Sequence, residues 1–173
     1  MAELVLVVGH VGAGKTTRAR ELAASTGAVR LSPDEWMVPL FGHPDPDGLR
    51  DVVEGRLVWT AVEVLRCGAS VVLDFGFWGR EERAALSWLA GTVGARTRTE
   101  YLPVDRETQA RRVAQRWQET PEATWQISQV ELDEWREQLQ EPDADELAGR
   151  YRTPSPGGSW PEWIAQRWPT ALG

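Results

Sequence analysis

Two hydrophobic patterns alternate along the chain and predict an α/β protein. Short apolar runs, of the kind buried in parallel sheets, predict strands at residues 4–8, 28–31, 70–74 and 97–102. Apolar residues spaced three and four positions apart predict helices at residues 15–25, 33–40, 49–66, 80–89, 106–119, 129–139 and 161–168. A fifth strand is expected at residues 150–153, although that segment has no clear apolar run.

Capping residues predict where several helices begin. Ser32 and Glu35 have the spacing of a capping box, and Pro33 is expected at the first helical position. Because these residues complete the box with each other, Asp34 is predicted to remain free of it. Two later helices have predicted caps of their own, Asp105 and Ser128.

The first strand leads into a glycine-rich segment. Residues 9–16 fit G-x-x-x-x-G-K-[ST] between a strand pattern and a helix pattern, which is the context a phosphate-binding loop requires. Lys15 is the only lysine, against eighteen arginines, so this position is expected to need lysine chemically. Its ammonium is placed to reach the β- and γ-phosphates, and the Thr16 hydroxyl to ligate Mg²⁺. The predicted ATP contacts are Gly9, Gly12, Ala13, Gly14, Lys15, Thr16 and Thr17.

Asp34 follows the second predicted strand, at the sheet edge where open α/β folds bind ligands. It has two interpretations: an acidic residue that complements the helix dipole, or a carboxylate that orients an acceptor hydroxyl. Trp36, two residues on, is a candidate substrate contact. Residues 41–48 form a predicted loop that can cover the substrate.

Asp74 ends the third predicted strand in a Walker-B-like pattern. It is expected to hold Mg²⁺, or its water, together with Thr16; the alternative is a carboxylate that caps the turn. In the following aromatic segment, Trp78 and Arg80 are the candidate substrate contacts. For its two phenylalanines, Phe75 and Phe77, core packing is an equally good interpretation.

Arg112 and Arg116 lie one turn apart on the helix predicted at residues 106–119. Beside a phosphate loop, they are candidates for clamping the charge of a transferring phosphoryl group. The alternative is a solvated helix face paired with Glu107 and Glu119.

Composition narrows the classes of function. At 173 residues the chain is expected to be a single domain, residues 1–173, with a helical tail at about residues 159–169. A net charge of -7 and a pI near 4.9 disfavour nucleic acid as a partner and leave a small molecule. The start of the chain has no signal-peptide or membrane-span pattern, which predicts a cytoplasmic protein.

The motifs at residues 9–17, 31–36, 72–75 and 105–116 resemble the P-loop kinases grouped with chloramphenicol phosphotransferase, zeta toxin and the kinase domain of polynucleotide kinase. The resemblance covers about residues 4–147. It implies a three-layer P-loop NTPase fold: a five-stranded parallel sheet of order 2-3-1-4-5, helices on both faces and a short helical lid at about residues 106–140. By the same resemblance, Asp34 activates the acceptor hydroxyl and Arg112 and Arg116 are lid arginines. Residues 32–36 and 74–78 are also similar to uncharacterised bacterial ATP-binding proteins of the AAA type.

Three functions are compatible with these features. The first is transfer of the γ-phosphoryl group of ATP to a hydroxyl of a small molecule, with ATP and Mg²⁺ as the implied ligands. The second is a nucleotide-dependent regulatory NTPase or switch. The third, a polynucleotide 5'-hydroxyl kinase, is disfavoured by the charge.

Overall fold

The computed structural model describes residues 1–43, 46–120 and 126–172. Within them the strands are β1 (Glu3–Gly9), β2 (Val29–Leu31), β3 (Val71–Leu73) and β4 (Arg96–Leu102). The helices are α1 (Lys15–Thr26), α2 (Asp34–Phe41), α3 (Leu49–Arg66), α4 (Arg80–Thr92), α5 (Arg106–Glu119), α6 (Gln129–Gln138), α7 (Ala144–Leu147) and α8 (Trp160–Arg167). The predicted bounds of α3 and α5 are confirmed, and the short α7 was not predicted.

Parallel strands form the centre of the fold in the order β2-β3-β1-β4. The central strand β1 is buried on both faces, which explains its continuous apolar run. On one face Val5 and Val7 contact Ala19 and Leu22 of α1. On the other face its alternate residues join a larger core formed mainly with α3, α4 and α8. This arrangement confirms the predicted α/β class with helices on both faces.

The prediction of a five-stranded sheet is wrong, because the described residues form four strands. Residues 150–153 do lie beside β4, where the hydroxyl groups of Tyr151 and Thr99 are 2.6 Å apart. Tyr151 is the single residue of the segment with a large apolar surface, and Pro154 and Pro156 next to it have no N–H groups to donate to a ladder. Residues 150–153 therefore form an irregular segment where the strand was expected.

The capping predictions divide into two groups. The Asp105 carboxylate accepts from the Thr108 N–H at 2.8 Å, and Ser128 and Glu131 form a reciprocal capping box, as predicted. The box predicted for Ser32 and Glu35 is wrong. Ser32 is buried, Pro33 occupies the N-cap with no side-chain cap bond, and Glu35 instead pairs with Arg20 and Arg30.

Parts of two predicted loops lie outside the described residues. These are residues 44–45, within the loop expected to cover the acceptor, and residues 121–125, between α5 and α6. Across the described ranges, no helix combines the length and the apolar character needed to cross a membrane.

Candidate active site

The glycine-rich loop connects β1 to α1 at the carboxyl edge of the sheet, where two glycines permit close approaches. A Cβ on Gly9 would lie 2.8 Å from the carbonyl oxygen of Leu102, so β4 leaves no room for a side chain there. Gly12 has φ +78°, and a Cβ there would lie 3.2 Å from Val113 Cγ2. Gly9 and Gly12 thus allow the glycine-rich loop to pass close to β4 and α5 without a side-chain clash.

The N-terminus of α1 is arranged to bind anions. Gly14 precedes the helix in the left-handed conformation, and the Arg18 N–H donates to its carbonyl oxygen at 3.0 Å. The N–H groups of Lys15, Thr16 and Thr17 therefore belong to the unpaired first turn and point out of the helix. A helix N-terminus of this kind favours a phosphate group.

Lys15 lies at the centre of the charged groups. Its Nζ donates to the carbonyl oxygens of Gly9 and His10, each at 2.9 Å. Burial lowers the pKa of Lys15 to about 8, against the charges of Asp74 and Asp34, which raise it. Arg116 is near enough to lower this pKa further. Three charged residues from separate segments of the chain thus act on the Lys15 ammonium: Asp34, Asp74 and Arg116.

Asp74 provides a buried carboxylate next to the loop. The Thr16 hydroxyl hydrogen-bonds to it, and Arg30 Nη1 of β2 lies 3.0 Å from its Oδ2. Burial raises the pKa of Asp74, while Thr16 and Arg30 act in the opposite direction. A carboxylate oxygen beside a hydroxyl is a hard-oxygen donor set of the kind Mg²⁺ prefers, so these residues fit the ion.

Asp34 is at the start of α2 with a side chain 71% exposed. Its Oδ1 lies 3.0 Å from Arg50 Nη1 of α3, so the carboxylate is held from one side and open on the other. Trp36 is also exposed, in a run of exposed apolar side chains along α2. This placement gives a solvent-accessible acid within electrostatic reach of Lys15.

The two arginines of α5 differ in their placement. Arg112 Nη1 donates to the Gly12 carbonyl oxygen at 3.3 Å, which ties α5 to the glycine-rich loop. Arg112 also borders a pocket of about 440 Å³, lined in addition by Tyr101, Thr108 and Glu141. Arg116 is exposed one turn further on and acts on Lys15 through its charge.

The residues of the aromatic segment after β3 differ in how close they lie to the glycine-rich loop. The half-buried Trp78 indole lies near Lys15 of the loop. If Gly76 carried a Cβ, that atom would lie 3.3 Å from Trp78 Nε1 and 3.9 Å from Lys15 Cε. Arg80 instead pairs with Asp143 and Glu146, so the structure directs its guanidinium toward α7 and away from the other site residues. The two phenylalanines of this segment are buried and stack on each other, as core packing predicts.

Two arginines that bond the site carboxylates were not among the sequence candidates. Arg30 contacts Asp74, and Arg50 contacts Asp34. The sequence does mark Arg30 as unusual, because it is a charged residue between the two apolar residues of the short strand β2. For Arg50 the sequence shows only its spacing of four residues from Glu54.

The sheet order, the loop between β1 and α1, and the charges gathered at Lys15 define a P-loop fold of the kinase type. Residues 4–153 match the sequence profile of an AAA domain family. The chain belongs to this family. No curated protein matches its sequence.

Solved structures share the fold. A candidate kinase from Chloroflexus aurantiacus J-10-fl superposes with a TM-score of 0.65 at 19% identity, covering 96% of this chain and 98% of that one. A sugar kinase from Janibacter sp. HTCC2649 gives 0.55 at 19% identity, covering 99% and 96%. A chain of the Pnkp1/Rnl/Hen1 RNA repair complex gives 0.62 at 17% identity, covering 80% of this chain and 44% of that one. The protein thus spans less than half of that longer chain.

Proposed function

We propose that the protein is an ATP-dependent phosphotransferase that moves the γ-phosphoryl group of ATP to a hydroxyl of a small molecule. The observation that carries the proposal is the Lys15 ammonium, which donates to the Gly9 and His10 carbonyl oxygens of the loop while the charges of Asp74 and Asp34 both raise its pKa. Lys15 and the loop belong to the donor side, while Asp34 stands on a separate helix with an open carboxylate. A nucleotide-dependent switch needs only the groups that bind the phosphates of ATP. Phosphoryl transfer also needs a group that orients the acceptor hydroxyl.

The transfer requires alignment and charge stabilisation more than covalent chemistry. The acceptor oxygen forms a bond to the γ-phosphorus, the bond from that phosphorus to the bridging oxygen breaks, and ADP leaves. Asp34 accepts a hydrogen bond from the attacking hydroxyl and takes up its proton. Lys15, Arg112 and Arg116 stabilise the negative charge on the phosphoryl oxygens. Thr16 and Asp74 would hold Mg²⁺, which adds positive charge next to the β- and γ-phosphates.

The pocket beside Arg112 is our proposed site for the nucleoside end of ATP. Arg112 joins this pocket to the Gly12 carbonyl, so a nucleotide with its phosphates in the loop can extend past the guanidinium. The acceptor approaches from the opposite side, at Asp34. A net charge of -7 favours a small acceptor over a polynucleotide.

The test is an ADP-release screen over hydroxyl compounds, with a 5'-hydroxyl oligonucleotide included at several salt concentrations. Asp34→Ala should abolish transfer while ADP affinity stays within about twofold, because Asp34 lies outside the phosphate loop. Asp34→Asn should retain a trace, since an amide oxygen can orient the hydroxyl without taking its proton. The matched control is Asp145→Asn, at a partly exposed aspartate of α7 that pairs with Arg150 and Arg152, and it should transfer phosphate as the unaltered protein does.

Lys15→Ala completes the test from the donor side. It should weaken nucleotide binding and transfer together, because the ammonium contacts the phosphates before and during the reaction. Full activity in this variant would contradict the phosphate-loop assignment. ATP hydrolysis that depends on a protein partner, with no acceptor in the screen, would favour the switch instead.

A further inference from the structure

Glu54 is a buried acid that the proposed transfer does not use. It lies in α3, is 5% exposed, and burial raises the pKa of its carboxyl group. Placing a carboxylate in the interior is costly unless other groups pair with it. The partners of Glu54 therefore indicate what the residue does.

The two oxygens of Glu54 face different parts of the molecule. Oε1 accepts a hydrogen bond from Arg50 Nε at 3.1 Å. Oε2 accepts from Trp168 Nε1 at 3.1 Å and from Arg167 Nη2 at 3.3 Å. Because Arg50 also contacts Asp34 at 3.0 Å, a continuous chain of polar contacts joins the C-terminal tail to the acceptor-side carboxylate.

The tail is closely fitted against α3. Trp168 is fully buried and packs edge-on against Trp163, with ring centroids 5.9 Å apart. Thr170 Oγ1 donates to the Val52 carbonyl oxygen at 2.6 Å, and a Cβ on Gly55 would lie 2.5 Å from the same hydroxyl. All of these tail residues lie beyond the family match at residues 4–153. The tail thus adds contacts that the matched region does not contain.

We propose that Glu54 is a positioning residue for Asp34, and that Trp168 and Arg167 of the tail hold Glu54 in place. The inference rests on the proposed function, in which Asp34 orients the acceptor hydroxyl. Arg50 shares its planar guanidinium between two carboxylates, so a fixed Glu54 fixes the direction from which Arg50 contacts Asp34. Loss of the Glu54 carboxylate should therefore change the orientation of the Arg50 guanidinium and, with it, the position of Asp34.

The first experiment removes single contacts in the full chain. Trp168→Phe deletes the indole N–H and keeps an aromatic ring, whereas Trp163→Phe is the matched control in the same tail. With the acceptor found in the screen, Glu54→Gln should lower kcat about tenfold and Trp168→Phe about threefold, as for other residues that orient a reacting group. The KM for ATP should stay within about twofold, and Trp163→Phe should leave kcat unchanged. Equal kcat values in all three variants and the unaltered protein would overturn the proposal.

A double-mutant cycle separates positioning from general structural support. In an Asp34→Asn background, which keeps a trace of transfer, Glu54→Gln should cause no further loss, because the carboxylate that Arg50 pairs with is absent. A structural role would instead multiply the two losses. The same fold-loss from Glu54→Gln in both backgrounds would therefore contradict the proposal.

An NMR measurement tests the linkage without any acceptor. The Nε–H signal of Arg50 in ¹H–¹⁵N spectra should shift in Trp168→Phe and Glu54→Gln and stay in place in Trp163→Phe. If it shifts but Asp34→Ala retains full transfer, the proposed function fails and the physical linkage stands. If Asp34 is required for transfer but the Arg50 signal is unmoved, the linkage fails and the proposed function stands.

Discussion

The ammonium group of Lys15 should make nucleotide binding depend on pH in a range where the nucleotide phosphates do not titrate. In the nucleotide-free protein, burial lowers the pKa of Lys15 to about 8. Bound phosphates supply anionic partners and should return this pKa toward its ordinary value of about 10.4. Above about pH 8, binding therefore requires the lysine to take up a proton.

The size of the effect follows from the two pKa values. At about pH 7 the lysine is charged in both states, so its charge contributes fully to the affinity. At about pH 9 roughly one free molecule in ten still carries the charge, while the bound form keeps it. The Kd for ADP should therefore rise about tenfold between about pH 7 and about pH 9, which corresponds to about 1.4 kcal/mol.

Isothermal titration calorimetry with ADP and Mg²⁺ measures both quantities. Titrations in two buffers of different ionisation enthalpy should show close to one proton taken up per ADP at about pH 9 and close to none at about pH 7. The Lys15→Arg variant is the control, because a guanidinium stays charged over this range. Cys67→Ser removes the exposed thiol and should leave the proton uptake unchanged. A wild-type Kd that stays constant to about pH 9, or equal proton uptake in Lys15→Arg, would contradict a lowered Lys15 pKa in the nucleotide-free protein.

Two further predictions concern packing around the site. Arg83→Met should lower the free energy of unfolding by about 3–5 kcal/mol in urea titrations, because it leaves Glu146 buried without its two-bond partner at 2.7 and 3.1 Å. Arg80→Gln, which removes a more exposed partner of Glu146, should cost about 1 kcal/mol or less, and equal losses would contradict this account. Gly12→Ala should weaken ADP binding about tenfold, since φ +78° strains an alanine and its Cβ would press on α5. Gly94→Ala, with φ +72° and open space around it, carries similar strain and should leave the ADP Kd unchanged.

The glycine-rich loop was readable from sequence because it is local. The residues that bend the loop, start α1 and place Lys15 all lie within residues 9–17, so their spacing alone sets their relative positions. The bounds of α3 and α5 were predictable for a similar reason. Gly48 precedes α3, and Asp105 caps α5 with its own side chain. In each case the information lies within a few residues of the feature it determines.

The partners of the acidic residues were not readable, because they are chosen in three dimensions. Arg30 and Asp74 are 44 residues apart and meet only because β2 pairs with β3. With eighteen arginines in the chain, sequence alone offers no way to select this pair. The capping-box prediction was wrong for the same reason. Glu35 was expected to hydrogen-bond to Ser32, but its carboxylate pairs with Arg20 and Arg30 instead. Two charge-assisted hydrogen bonds from arginine stabilise the Glu35 carboxylate more than one capping hydrogen bond from a neutral group would.

The paired state of the two acids bears on how a ligand enters. Arg30 holds Asp74 beside the loop, and Arg50 holds Asp34 on α2, so neither carboxylate is an isolated charge when no nucleotide is present. The two pairs nevertheless differ in exposure. Asp74 is buried and rigidly surrounded, which suits a fixed oxygen near a metal ion, whereas Asp34 keeps most of its carboxylate open to solvent. In the proposed transfer, an acceptor hydroxyl can therefore reach Asp34 without displacing Arg50. Because phosphoryl transfer requires accurate orientation of the nucleophile more than a strong base, an exposed carboxylate held from one side is sufficient for the role.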